Sequence, residues 1–344
     1  MSRRRHLISR NLARRIVPAF FGALLGASAV FAADGEPGKM LDAIQQQVQL
    51  VFEKSGPAVV RIEATDAHGR LAGSGFFIDP NGTLYTSYSV GGESRDITVH
   101  FRGEQHPARR LVSDLRSGIA LLKIDAQTPF LIFGKARALA LATPVIALGY
   151  PMEMPLTPSF GIVGGFDVKF AGRFFATTHI RANVPVQRGE GGAPLLNANG
   201  EAVGILISTL DGGGASFVLP IEAAEKVRMD FMRFREVRPG WLGMAVKAAD
   251  AAVAGSTARI EEVIADAPAE KAGLRTGDIL LQIGARKIAI PEDVLDASFF
   301  LTADDSVPVR IARDGAEMQI QVQPADPPTA HRAEIPSQGL KVGQ

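Results

Sequence analysis

The stretch from Gln187 to Ile205 reads QRGEGGAPLLNANGEAVGI. It is a glycine-rich loop, a short apolar strand, an Asn/Gly turn and a second apolar strand. A loop of this shape is suited to presenting a nucleophile, and a serine would fit between Glu190 and Gly192. Gly191 stands there instead, and glycine has no side chain with which to attack. Displaced chemistry would need other groups. His179 and Glu190 could form a general acid–base pair if a substrate lay between them. No activated nucleophile accompanies them, so they read as a surface-facing strand histidine and a solvated loop carboxylate. His100, Glu104 and His106 are ligand types at short spacing. A metal site needs three or four convergent ligands, so these read as solvent-facing polar residues on a hairpin, and no metal is expected. Ser74 and Ser89 are hydroxyls with no evident base, and Ser74 in GSG suits a tight turn. No cofactor motif stands out.

The elements that must hold these residues are mostly strands. From Lys39 to Lys54, Met40, Leu41, Ile44, Val48, Val51 and Phe52 recur at helical spacing. AVVRIEA then reads as a strand, SGFFIDPNGTLYTS as two strands around DPNG, and ITVHFRGEQHPARRLV as a further hairpin. GIALLKI and TPVIALGYP are buried-strand runs. More short strands with Gly-rich breaks run from Gly161 to Leu219, which argues for barrels or a sandwich. Ile221 to Arg235 is a charged helix that bridges to a second unit of about ninety residues. That unit ends in two alternating strands around a DG turn. The segment after Pro324 is Pro-rich and polar and is expected to be disordered.

Composition narrows the class. The 344 residues include no cysteine, which excludes thiol catalysis, disulfides and cysteine zinc sites. Residues 1–32 carry six arginines, an uncharged stretch from Ile16 and the ending Val30-Phe31-Ala32. This predicts a signal peptide, with an uncleaved membrane anchor as the alternative. Without that segment the chain has 31 basic and 36 acidic side chains, a net of −5. Nothing in that balance favours nucleic acid. An exported, cysteine-free chain is compatible with the bacterial periplasm.

Several motifs carry a family resemblance. GSGFFIDPNGTLYTSYSV, SDLRSGIALLKI and RGEGGAPLLNANGEAVGI resemble the histidine, aspartate and serine segments of HtrA/DegP-like serine proteases. Arg238 to Val322 resembles the PDZ domain that follows them. The resemblance implies a mainly β chain: a trypsin-like double β-barrel over 38–235, a PDZ domain over 236–324 and a tail over 325–344. Against T-N-x-H-V-V, S-D-I-A-L-L and G-N-S-G-G, this chain has Ser89, Gly118 and Gly191 at the histidine, aspartate and serine positions. The triad acts as a unit, so its loss implies a pseudoprotease. Gly189 and Gly191 would be what remains of an oxyanion loop, with Glu190 and Pro194 working against it.

By the same resemblance, Trp241-Leu242-Gly243-Met244 forms the loop that holds a peptide carboxylate. Val246 on the following strand, with Val294, Leu295, Ser298 and Phe299 on the helix Pro291–Leu301, would line the groove. The implied partners are peptides or unfolded chains, an active HtrA-type protease, and further copies of the chain in a trimer-like oligomer. Two other roles stay open: an active endopeptidase using displaced residues, and a structural scaffold.

Overall fold

The computed structural model describes residues 37–209 and 214–328. The expected signal segment, residues 1–32, lies outside them, as does residue 329 onward of the expected tail. Helix α1 (Pro37–Ser55) follows the helical spacing read in the sequence. Val51 is buried, with Val48 and Phe52 packed beside it. Its end is held by Lys54 Nζ on Asn199 O (2.7 Å) and Ser55 Oγ on Gly200 O (3.2 Å).

The first lobe is an antiparallel sheet with β1 (Val59–Asp66), β2 (Gly69–Phe77), β3 (Thr83–Ser87), the helical turn α2 (Tyr88–Gly91), β4 (Arg95–Phe101), β5 (Glu104–Pro107), β6 (Arg109–Asp114) and β7 (Ile119–Lys123). Its strand order is β5-β4-β1-β2-β3-β7-β6. Alternation sorts the faces: Ile97, Val99 and Phe101 of β4 are buried while the residues between them are more open.

The second lobe closes into a barrel. It contains β8 (Pro144–Gly149), β9 (Thr157–Phe170), β10 (Arg173–Asn183), β11 (Pro194–Leu196), β12 (Ala202–Thr209) and β13 (Ser216–Pro220). Here the sequence reading needs correcting. Gly161, Gly164 and Gly165 are not breaks between short strands but lie inside the fourteen-residue β9. They sit where another chain segment comes too close for a side chain. A Cβ on Gly161 would lie 2.1 Å from Asn183 O, and one on Gly165 would lie 2.4 Å from the Arg181 guanidinium.

Helix α3 (Ile221–Phe234) ends on Arg235, whose φ is +66° and whose N–H bonds Phe231 O at 2.8 Å. Beyond it come β14 (Met244–Val253), β15 (Ser256–Val263), the short α4 (Pro268–Lys271), β16 (Ile279–Ile283), β17 (Arg286–Lys287), α5 (Pro291–Phe299), β18 (Val307–Arg313) and β19 (Ala316–Val322). The sheet runs β14-β15-β16-β18-β19, with β17 on β16, and encloses its own core of Leu242, Ile260, Leu280, Val309 and Ile311. The chain beyond β19 does not leave directly, as a disordered tail from residue 325 would. Trp241 and Ala325 exchange both backbone hydrogen bonds (2.7 and 3.0 Å), and Asp326 pairs with Arg238 at 3.2 Å.

This C-terminal unit is seated on the lobes. Asp230 of α3 is only 2% exposed. It accepts from Lys226 Nζ (2.6 Å), Arg238 N–H (3.1 Å) and Thr302 Oγ1 (3.1 Å). Burial lowers the Lys226 pKa, and Asp230 opposes that shift. Asp296 of α5 accepts from the Thr178 N–H (2.9 Å) and the Thr177 hydroxyl of β10, and pairs with Arg286. Phe299 enters the hydrophobic cluster of the lobes, with Arg116 5.5 Å from its ring centroid.

Candidate functional site

The loop 187–193 is held by backbone bonds and one hydroxyl. The Ser74 N–H donates to Gly191 O (2.9 Å), and the Gly192 N–H donates to Leu206 O (2.8 Å). Ser74 Oγ donates to Gly189 O (2.9 Å) and accepts from the Tyr150 N–H (3.0 Å). Ser74 therefore clamps the loop onto β2. The GSG motif gave no sign of that role, because its partner is 115 residues away.

Strand β3 ends at Ser87, and α2 lifts Ser89 beside it, with the two hydroxyls 2.9 Å apart. A Cβ on Gly191 would stand 3.2 Å from Ser87 Oγ and 3.8 Å from Ser89 Oγ. Positions 89 and 191 thus face each other. Gly118 lies next to them, its carbonyl accepting the Tyr88 N–H at 2.7 Å. Three positions far apart in sequence meet in one corner of the fold. What they present there is one hydroxyl and two glycines.

Positions 118 and 191 differ in the room they leave for a side chain. Gly118 has φ +75°, and a Cβ there would lie 2.7 Å from Ile207 Cγ2. Ile207 fills the space that a side chain at 118 would enter. Asp114 lies close by, its carbonyl accepting the Gly118 N–H at 3.0 Å. It is 7% exposed, with one carboxylate oxygen 3.3 Å from Arg116 Nε and the other without a hydrogen-bond partner.

Both members of the possible acid–base pair are buried, which corrects the expectation of a surface histidine and a solvated carboxylate. Glu190 is 2% exposed and accepts the Gln187 N–H at 2.6 Å. Burial raises its pKa against that hydrogen bond. His179 is buried against Phe175, with ring centroids 4.3 Å apart, and its Nδ1 lies 2.8 Å from Thr177 O. Burial lowers its pKa to about 4, opposed by the Thr177 carbonyl and Asp296. Each is spent on its own strand or loop. His100 and His106 are half-buried rather than solvent-facing. His100 is 3.3 Å from Glu63, and His106 is 3.8 Å from Glu104. No group of three metal-capable side chains converges among the described residues.

The Trp241–Met244 loop is built differently. Gly240 N–H donates to Leu301 O (2.9 Å), Leu242 O accepts from Ala269 N–H (2.8 Å), and Gly243 O accepts from Ile264 N–H (2.9 Å). The Leu242 side chain is buried in the local core. Gly243 has φ +77°, and a Cβ there would lie 2.2 Å from Ala267 Cβ. Among the described residues, the N–H groups of Leu242 and Gly243 are not given to a backbone carbonyl. Strand β14 forms the sheet edge, pairing with β15 from Met244↔Val263. Met244 and Val246, two apart, pack on the same core, and Val294 of α5 is buried in it. Leu295 is 38% exposed. Phe299 does not belong with them. It lies at the end of α5 and packs into the core of the lobes, so the expectation that it lines the groove is corrected.

Comparison with known proteins agrees with this architecture. Residues 73–205 match the trypsin-like peptidase domain, and residues 240–323 match the PDZ domain. The chain is 31% identical to a probable periplasmic serine endoprotease DegP-like of Pseudomonas fluorescens, over 73% of this chain and 55% of that one. It is 33% identical to a protein of the same description from Marinomonas sp., over 74% of this chain and 58% of that one. The chain thus spans a little over half the length of these relatives. A solved structure of the HtrA-type protease AlgW with tripeptide superposes with a TM-score of 0.69, covering 82% of this chain and 97% of that one at 22% identity, a likeness of fold. Residues 73–205 and 240–323 thus carry a trypsin-like peptidase domain followed by a PDZ domain, and the chain is similar to DegP-like serine endoproteases across both.

Proposed function

We propose that this protein is a catalytically inactive HtrA-like protein of the periplasm. It holds peptides or unfolded C-termini through its PDZ domain, and it serves protein quality control as a chaperone, adaptor or regulator of an active protease. The observation that carries the reading is the corner formed by positions 89, 118 and 191. The fold brings them together, yet they supply one hydroxyl and no base to activate it. Loss of one triad member leaves little for the others to do. Binding is supported by the Leu242 and Gly243 N–H groups beside an edge strand. Such amides suit a carboxylate, and such an edge suits strand addition. Solved AlgW structures carry a tripeptide or a decapeptide, and we extend peptide binding to this chain as part of the proposal.

The test is a pull-down from periplasmic extract with wild-type protein and Gly243→Glu, paired with a turnover assay on casein and labelling by a fluorophosphonate probe. Partners lost in the variant, with no cleavage and no labelled serine, support the proposal. Labelling of any serine together with casein cleavage points to displaced catalysis and overturns it. Identical partner sets remove the PDZ loop as the working site.

A further inference from the structure

The β9–β10 hairpin ends in an exposed tip. Arg173 pairs with Phe170 and Phe174 with Lys169, around the two-residue turn Ala171-Gly172. These turn residues have φ of +48° and +78°, the pattern of a tight hairpin turn. Every residue from 169 to 174 is exposed. Phe174 is 58% exposed, Phe170 39% and Phe166 42%. Single exposed apolar residues are ordinary, but three phenylalanines on one ribbon are a concentrated apolar surface.

The charge on the tip is of one sign. Cross-strand pairs share a face, so one side of the tip carries Phe174 with Lys169 and the other carries Phe170 with Arg173. The Lys169 ammonium lies 5.6 Å from the Phe174 ring centroid. The nearest acid along the hairpin, Asp167, is paired with Arg181 at 3.0 Å. Arg173 makes no ion pair among the described residues. Each face therefore offers one ring and one cation. Behind them an aromatic stack fixes the ribbon to the barrel: Phe170 to Phe217 at 5.1 Å, and Phe217 to Phe175 at 5.0 Å.

An exposed, two-sided tip has no pocket for the alternating side chains of a peptide. It has the chemistry of a wedge for a bilayer surface, with rings at the acyl–headgroup boundary and cations reaching back to phosphates. We propose that the Phe166–Phe174 tip anchors this protein to anionic phospholipid surfaces. The remainder of the chain beyond residue 32 carries net negative charge, so contact is confined to the tip and weakens with salt.

The chain has no cysteine, so Ala171→Cys in the full chain takes a single environment-sensitive fluorophore, with His68→Cys as the control position. Vesicles of phosphatidylcholine with phosphatidylglycerol should shift emission to the blue at position 171 and leave position 68 unchanged. Spin-labelled lipid should quench only the former. Lys169→Gln with Arg173→Gln should weaken partitioning by roughly twenty- to thirty-fold, at about five-fold per cation. Phe174→Ser, whose ring is mostly exposed, should weaken it by about ten-fold without lowering the melting temperature. An unchanged spectrum at 171 with vesicles overturns the proposal. So does a blue shift that depends on protein concentration without lipid, which marks self-association, or one produced only by reduced casein, which marks an unfolded-chain site.

Discussion

Gly191 and Gly243 are both glycines at the centre of a loop, but the backbone demands only one of them. Gly243 sits at φ +77° with Ala267 Cβ 2.2 Å from where its own Cβ would be. Nothing larger fits without rebuilding the loop. Gly191 lies outside the positive-φ region, and its nearest neighbour is the Ser87 hydroxyl at 3.2 Å, which can rotate. A serine there is sterically acceptable. The Trp241–Met244 loop is thus constrained by conformation, whereas the corner at 191 leaves room for a side chain. Geometry explains the glycine in the PDZ loop and leaves the one in the barrel to chemistry.

The strongest test of this contrast asks whether the two regions are separable. Asp230 belongs to neither but joins α3 to Arg238 and Thr302. Asp230→Ala leaves Lys226 buried without its partner, so a loss of about 3–5 kcal/mol is expected. Chemical denaturation should show one transition moving as a whole. If only one of two resolved transitions moves, the regions fold independently. Next in size, Gly243→Glu should cut affinity for a carboxylate-ended peptide by at least about a hundred-fold, and amidating that peptide should cost wild-type protein about ten-fold or more. Fluorescence polarisation measures both. Equal affinity for acid and amide would show that the loop does not read a carboxylate.

The barrel should answer to pH. His179 titrates near 4 in the fold, against an ordinary value of 6.5. As pH falls below 6.5 the unfolded chain binds the proton first. Stability that is complete above 6.5 is therefore lost as pH falls towards 4, by about 2 kcal/mol between pH 7 and 5. Glu190 works in the opposite sense, since burial raises its pKa and its protonated form suits the fold. His179→Phe should remove the first contribution, and urea titrations at the two pH values would show it. A pH slope unchanged by the substitution would exclude His179 as its source. The smallest effect belongs to Gly191→Ala, expected to stay within about 1 kcal/mol in stability and to leave peptide affinity unchanged. A larger drop would mean that the corner needs glycine after all.

Much of the architecture was legible, because alternation and turn residues are local signals. The hairpin at DPNG, the two strands around Gly315 and helix α1 follow directly from spacing. What escaped depends on which segments meet. Nothing near Glu190 announces burial, since its cover is the end of β8 at Gly149, and spacing alone does not show that Phe175 lies against the His179 ring. Helix α5 has two apolar directions, and only the docked structure separates Val294, facing the PDZ core, from Phe299, facing the lobes. Glycines inside β9 resembled breaks because a close backbone approach and a chain reversal use the same residue type. Positions 89, 118 and 191 were singled out by resemblance, but the difference between an open corner at 191 and a closed one at 118 was not legible.

That difference makes the loss directional. An imidazole at 89 and a hydroxyl at 191 could each be regained by one substitution. A carboxylate at 118 would have to take a positive-φ backbone and displace Ile207, whose β-branched side chain has little rotamer freedom to yield. A carboxylate at 118 therefore needs a paired change at 207, in addition to the substitutions at 89 and 191. Under the proposed function Ile207 is a ratchet: it occupies the space that a side chain at 118 would need.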